Sequence, residues 1–166
     1  MLTTARSSVF LVAHAFQYRR ILVPVQDNRE SEQALDVSCR LAGEHGAVIT
    51  TVVVVEVPSL LPLDAHMTEE ERAAHRLLER AGAVADSYGV RVSPRIVRGR
   101  DAASAILEEA EAAASEIVII GSPRKGRAYK GPRIFGGTVE HVLKRARCRV
   151  MVIGAPAKLY EAHAAA

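Results

Sequence analysis

The chain has 166 residues, enough for one domain with a full core, and its formal charge of +3 is too mild to mark a nucleic-acid-binding protein. Trp is absent and aromatics make up only 4% of residues, so the core falls to Val, Ile, Leu and Ala, and no stacking platform for bases accompanies the charge beyond Tyr129. No apolar run reaches the length of a membrane span. Cys39 and Cys148 lack CxxC spacing, and His14, His45, His66, His75, His141 and His163 form no HxxxH or HExxH pair. These absences argue against membrane insertion, a disulfide and a metal centre, and in favour of reduced, buried thiols in a cytoplasmic protein.

Residues 1–18 read as an arm. Ser7 to Phe16, SSVFLVAHAF, is apolar, and Ala13-His14-Ala15 faintly resembles a signal-peptidase site. The stretch is short, His14 breaks it and only Arg6 charges its front, so secretion is disfavoured. An extra strand, a dimer arm and an upstream start codon stay open as readings.

Ile21 to Val25 predicts a buried strand, with Asp27-Asn28 as turn and cap chemistry. Ala34, Leu35, Ser38, Leu41 and Ala42 mark one face of a helix stopped by Gly43 and Gly46. Ala47 to Val57 holds the run Val52-Val53-Val54-Val55. Such continuous β-branched runs belong to parallel sheets covered on both faces. After a proline-containing loop, Thr68 and Glu71 have the spacing of a capping box. Ala74, Leu77, Leu78, Ala81, Val84, Ala85 and Tyr88 then predict the longest helix, ended by Gly89.

Val90 to Val97 is a weaker strand, expected near a sheet edge. Asp101 caps a helix whose inner face is Ala103, Ile106, Leu107, Ala110 and Ala114. Ile117 to Ile120 is a buried strand that stops at Gly121-Ser122-Pro123. A loop with Arg124, Lys125, Arg127, Lys130 and Arg133 and no acid leads to Gly136-Gly137-Thr138 and a helix carrying Val139, Val142, Leu143 and Ala146. Arg149 to Ile153 is the last strand, and residues 157–166 read as a frayed tail.

The order β-α-β-α-β-α-β-α-β predicts an α/β fold, a five-stranded parallel sheet with helices on both faces. Ligands of such sheets bind at the carboxyl ends of the strands, where strand order reverses. A reversal between the first and fourth strands brings Gln26 and Asp27 to the same cleft as Gly121 and Ser122. The strand, glycine-rich loop and helix N-terminus around residues 117–143 offer backbone N–H groups and a positive dipole end to an anion. Each of these features has a plainer reading. The glycines serve turns and caps, the basic loop is a solvated segment, Ser122 and Thr138 only cap, and Gln26 and Asp27 only turn the chain. His141 has no partner that the sequence names.

Residues 19–156 resemble the universal stress protein family. The likeness lies in YRRILVPV, Glu32 and Ala34, VVVVEVP, VRGRDAASAILEEAEAAASEIVIIGSP, GGTVEHVLKRA and CRVMVIGAP, in matching order and spacing. The resemblance implies a Rossmann-like sheet of order 3-2-1-4-5 and a regulatory protein of the stress response that binds ATP or another adenine nucleotide, with or without Mg. It implies a homodimer paired through Arg149 to Ile153, and the mild charge without an aromatic platform leaves nucleic acid disfavoured as a partner. The protein client is unknown. The cofactor-binding set it implies is Pro24, Gln26, Asp27, Val54, Gly121, Ser122, Gly126, Gly137, Thr138 and Val139. By residue type alone, Val54 is core.

Two departures bear on that set. The nucleotide-binding members carry Gly-x2-Gly-x9-Gly-[Ser/Thr], and here Arg124 stands at the second glycine, with Gly126 next in a longer loop. Gln26 stands where those members have an Asp that contacts adenine, and Asp27 follows it. Both changes point to a weakened site. The alternative is a homodimeric interaction domain that has lost its nucleotide. An ATP-hydrolysing enzyme is the third reading, and nothing supports it: there is no Walker lysine, no G-x-S-x-G elbow and no metal-binding acid in the loop, so the chain is expected not to be an enzyme.

Overall fold

The computed structural model describes residues 17–123 and 135–154. Within them β1 (Arg20–Pro24), α1 (Arg29–His45), β2 (Val48–Glu56), α2 (Thr68–Ser87), β3 (Val92–Gly99), α3 (Ala102–Ala112), β4 (Ile117–Ser122), α4 (Gly137–Arg145) and β5 (Arg149–Gly154) follow in strict alternation. All four strand pairings are parallel and the order across the sheet is β3-β2-β1-β4-β5. The topology expected from the sequence is the one observed.

Alternate residues of the buried strands feed two separate cores, which is why continuous apolar runs were needed. Ile21, Val23, Ile49, Val53, Ile117 and Ile119 pack with Ala34, Leu35 and Cys39 of α1 and Ala74, Leu78 and Ala81 of α2. Leu22, Val52, Val118 and Ile120 point the other way, onto Ala103, Ile106 and Ala110 of α3 and Val139 and Val142 of α4. Many of these helix contacts are alanines, so the helices lie close on the sheet. Burial pushes the Cys39 thiol up to about 11, with the Asp36 charge adding to the effect, which leaves it a packing residue. Both cysteines are free.

The helix ends mostly follow the chemistry read from the sequence. Asn28 caps α1 by accepting from Ser31 N–H at 2.8 Å, and Asp101 caps α3 by accepting from Ser104 N–H at 2.9 Å. Gly46 ends α1 in the left-handed region, whereas Gly43 lies inside the helix, against the expectation that it helps stop it. The expected capping box on α2 is absent. Thr68 is already helical, Met67 occupies the cap without a side-chain bond, and Glu71 turns away to Arg98 of β3. A charged guanidinium from the neighbouring strand outcompetes a backbone N–H for that carboxylate. Tyr18, read as part of the arm, is buried in the core with the Arg149 guanidinium 5.6 Å above its ring.

The Arg98 guanidinium holds the Glu71 carboxyl below its ordinary range, and the Tyr88 hydroxyl does the same for Asp36. A depressed folded-state pKa contributes stability that is complete above the unfolded value and is lost as pH falls through the folded one. The thermal midpoint should therefore hold from neutral pH down to the ordinary carboxylate range and drop below it. Glu71→Gln should flatten that drop in calorimetric scans between pH 7 and pH 3.

Candidate functional site: a cleft where two central strands part

The β1–β4 pairing covers only Ile21↔Ile117 and Leu22↔Val118, although both strands run further. On its other side β1 stays paired with β2 through Pro24↔Val52, and Val25 N–H still donates to Val52 at 2.7 Å. Backbone N–H groups alternate sides along a strand, so the missing N–H of Pro24 falls on the β4 side. The ladder ends there for want of a donor. The first turn of α1 fills the gap: a Cβ on Gly121 would lie 2.5 Å from Glu30 C and Ser31 N and 2.6 Å from Glu30 O. Only glycine allows that approach.

Two adjoining hollows result. The larger, about 600 Å³, is lined by Pro24, Gln26, Asp27, Val52 to Val55, Glu56, Glu70, Ala102, Ile106 and Thr138 among others. The smaller, about 110 Å³, is lined by Pro24, Gln26, Ser31, Ile106, Ile120, Gly121, Pro123, Gly136, Thr138 and Val139. Pro24, Gln26, Ile106 and Thr138 belong to both. The larger hollow carries the carboxylates of Asp27, Glu56 and Glu70 and so suits donors such as sugar hydroxyls. The smaller faces the start of α4, whose first N–H groups lack intrahelical partners and whose cap residue, Gly136, supplies no side chain. That end suits an anion.

Of the residues singled out in the sequence, Pro24, Gln26, Asp27, Val54, Gly121, Thr138 and Val139 come together in this cleft. Val139 is also buried against the sheet. Ser122 is buried and lines neither hollow, and exposed Gly137 does not line them either; Gly136 stands in its place. Gly126 and the basic run Arg124, Lys125, Arg127, Lys130 and Arg133 lie outside the described residues. Asp27 does not stand free beside Gln26: its Oδ1 accepts from Arg80 of α2 at 2.7 Å. Arg80 carried no signal, being 53 residues away in sequence. Ser31, also missed, is buried at the centre of the turn, accepting from Gln26 N–H at 2.9 Å and donating to the Pro24 carbonyl at 3.3 Å. Its position three residues after the Asn28 cap was the available clue.

The sequence profile of the universal stress protein family matches residues 17–154, the whole sheet and all four helices. The chain belongs to the universal stress protein family. A curated relative, universal stress protein MJ0531 of Methanocaldococcus jannaschii, is 24% identical over 147 residues, 85% of each chain. Among solved universal stress proteins, one in complex with cAMP superposes with a TM-score of 0.68 at 18% identity, covering 82% of this chain and 97% of the other. Another, from Archaeoglobus fulgidus in complex with dAMP, gives 0.65 at 17% identity, covering 82% and 98%. The likeness to these universal stress protein structures is one of fold.

Two glycines of this universal stress protein should respond differently to the same change. Gly121→Ala drives a methyl group into the α1 backbone and should cost about 3 kcal/mol in a denaturant titration. Gly137→Ala meets nothing within 4 Å among the described residues and should be neutral to stabilising by up to about 1 kcal/mol.

Proposed function

We propose that this chain is a nucleotide-binding regulatory protein of the stress-response type, cytoplasmic and without catalytic activity, that takes ATP or another adenine nucleotide in a weakened form of the family's site. The observation that supports this most is the pair of hollows at the switch point between β1 and β4. An open cleft of about 600 Å³ has the size of a small-molecule site, and it adjoins a small hollow at a helix N-terminus. The base and ribose suit the larger hollow, beside Val54, Gln26 and the carboxylates. The phosphates suit the smaller, beside Gly136, Thr138 and the α4 N–H groups. That two universal stress proteins of the same fold were solved with cAMP and dAMP supports the adenine reading.

The weakening follows from the residues present. Gln26 replaces a carboxylate at the base, and Asp27 is spent on Arg80. Arg124 stands where a glycine is expected. Phosphate contacts then contribute most of the affinity, and such contacts are screened by salt. Calorimetric titration of ATP, GTP and pyrophosphate is the test. ATP binding should fall by about tenfold or more from low to high salt, and GTP should not be excluded. Tight, salt-resistant binding of ATP that excludes GTP would mean that an intact adenine pocket survives. No binding even at low salt would leave the interaction-domain reading.

The proposal includes a homodimer. Among the described residues β5 is an edge strand, paired only with β4, and Val150, Met151, Val152 and Ile153 are all half-buried. Such an edge is an association hazard unless something pairs with it, and a second copy of β5 across a two-fold axis supplies that. Val152→Lys should give a monomer or an insoluble product. A dimer of unchanged size by light scattering would rule out this interface.

A further inference from the structure

The loop from Val57 to Met67 joins β2 to α2 and is anchored at both ends, where Val57 and Met67 are buried in the core. Two turns shape it, with Leu61 N–H donating to the Pro58 carbonyl and Ala65 N–H to the Pro62 carbonyl, both at 3.0 Å. Arg98 of β3 and Arg100 just beyond it brace these turns. Arg98 donates to the Leu63 and Ala65 carbonyls, and Arg100 to those of Val57, Pro58 and Leu61. All of these bonds end on main-chain oxygens and leave the leucine side chains exposed. Leu60 is 98% exposed, Leu61 42% and Leu63 48%. Three of the six large exposed hydrophobic side chains among the described residues thus fall within four positions, on a backbone that is already held.

We infer that this loop is a docking surface for a protein partner that offers an apolar pocket with a basic rim. A single exposed leucine is ordinary, but three on one braced loop form an apolar patch that folding does not require. Because the backbone is fixed beforehand, little conformational entropy is left to lose when the leucines are buried. The charge around the patch selects the partner. Arg98 is balanced by Glu71, and Glu69 by Arg72. Asp64, Glu56 and Glu70, all exposed, then outweigh Arg100. That negative excess complements Lys and Arg side chains at the edge of a pocket and repels an anionic bilayer. The surface stands whether or not the cleft takes a nucleotide.

The probe is a library of random peptides displayed on phage, selected against the full chain at low salt. Recovered peptides should join a large apolar side chain to Lys or Arg. In calorimetric titration of a synthetic copy, Leu60→Ser or Leu63→Ser should weaken binding about tenfold or more, and Asp64→Lys by a smaller factor. Leu60→Ser should leave the thermal midpoint unchanged; a lowered midpoint would show that the leucine serves the fold and would overturn the proposal. Peptides that bind the leucine variants as well as the wild-type chain, or the recovery of none, overturn it too. So does co-sedimentation of the wild-type chain, but not of Leu60→Ser, with phosphatidylglycerol vesicles, since the loop is then a membrane contact. A smaller particle for Leu60→Ser by light scattering makes the loop a contact between copies of this chain, and likewise overturns it.

Discussion

The architecture of the cleft depends on the absence of two groups, an N–H at Pro24 and a Cβ at Gly121. The first ends the ladder between the two central strands, and the second lets the start of α1 sit on the end of β4. Either change alone would leave the cleft ill-defined. A donor at Pro24 would invite β1 and β4 to stay paired toward their ends. A side chain at residue 121 would push α1 away and carry Asn28, Ser31 and Gln26 with it. The cleft is thus built by subtraction at two points, inside a sheet whose other pairings run to the strand ends.

From that contact outward the turn is ordered by hydrogen bonds of known polarity. Ser31 is held against β1 through the Pro24 carbonyl and against the turn through Gln26 N–H, and its own N–H fixes Asn28. A buried hydroxyl used in both directions costs little, because neither its hydrogen nor its lone pair is left without a partner. Gln26 inherits its orientation from this set. Asp27 is drawn the other way, to α2, by an exposed ion pair that is worth little in stability but occupies one carboxylate oxygen.

The fold was legible because β-branched runs such as Val52 to Val55 need cover on both faces, and because Asn28, Asp101 and Gly46 mark helix ends by local chemistry alone. What failed locally failed for a tertiary reason. Thr68 and Glu71 have the spacing of a capping box, but Arg98, 27 residues on, takes the carboxylate. At the site, residues adjacent to strand ends were legible: Pro24, Gln26, Gly121 and Thr138 reach one cleft because topology puts strand ends together. The Arg80 contact to Asp27 was not, since it comes from α2, an element whose orientation only packing decides.

Gly121 illustrates how one letter in a motif carries two meanings. Read as the first residue of a phosphate loop, it is glycine so that a ligand can come near. In the structure the backbone that comes near is that of α1, at 2.5 Å from where a Cβ would stand, so glycine is required here whether or not anything binds. Gly137 is the opposite case. Among the described residues nothing lies within 4 Å of where its Cβ would stand, its φ is not positive, and helix formation alone would favour alanine there. Folding therefore accounts for Gly121 by close approach and for Gly136 as the cap of α4, and leaves Gly137 unexplained. A glycine in this motif speaks for a ligand only where fold stability does not already ask for it, which is the case at Gly137 and not at Gly121.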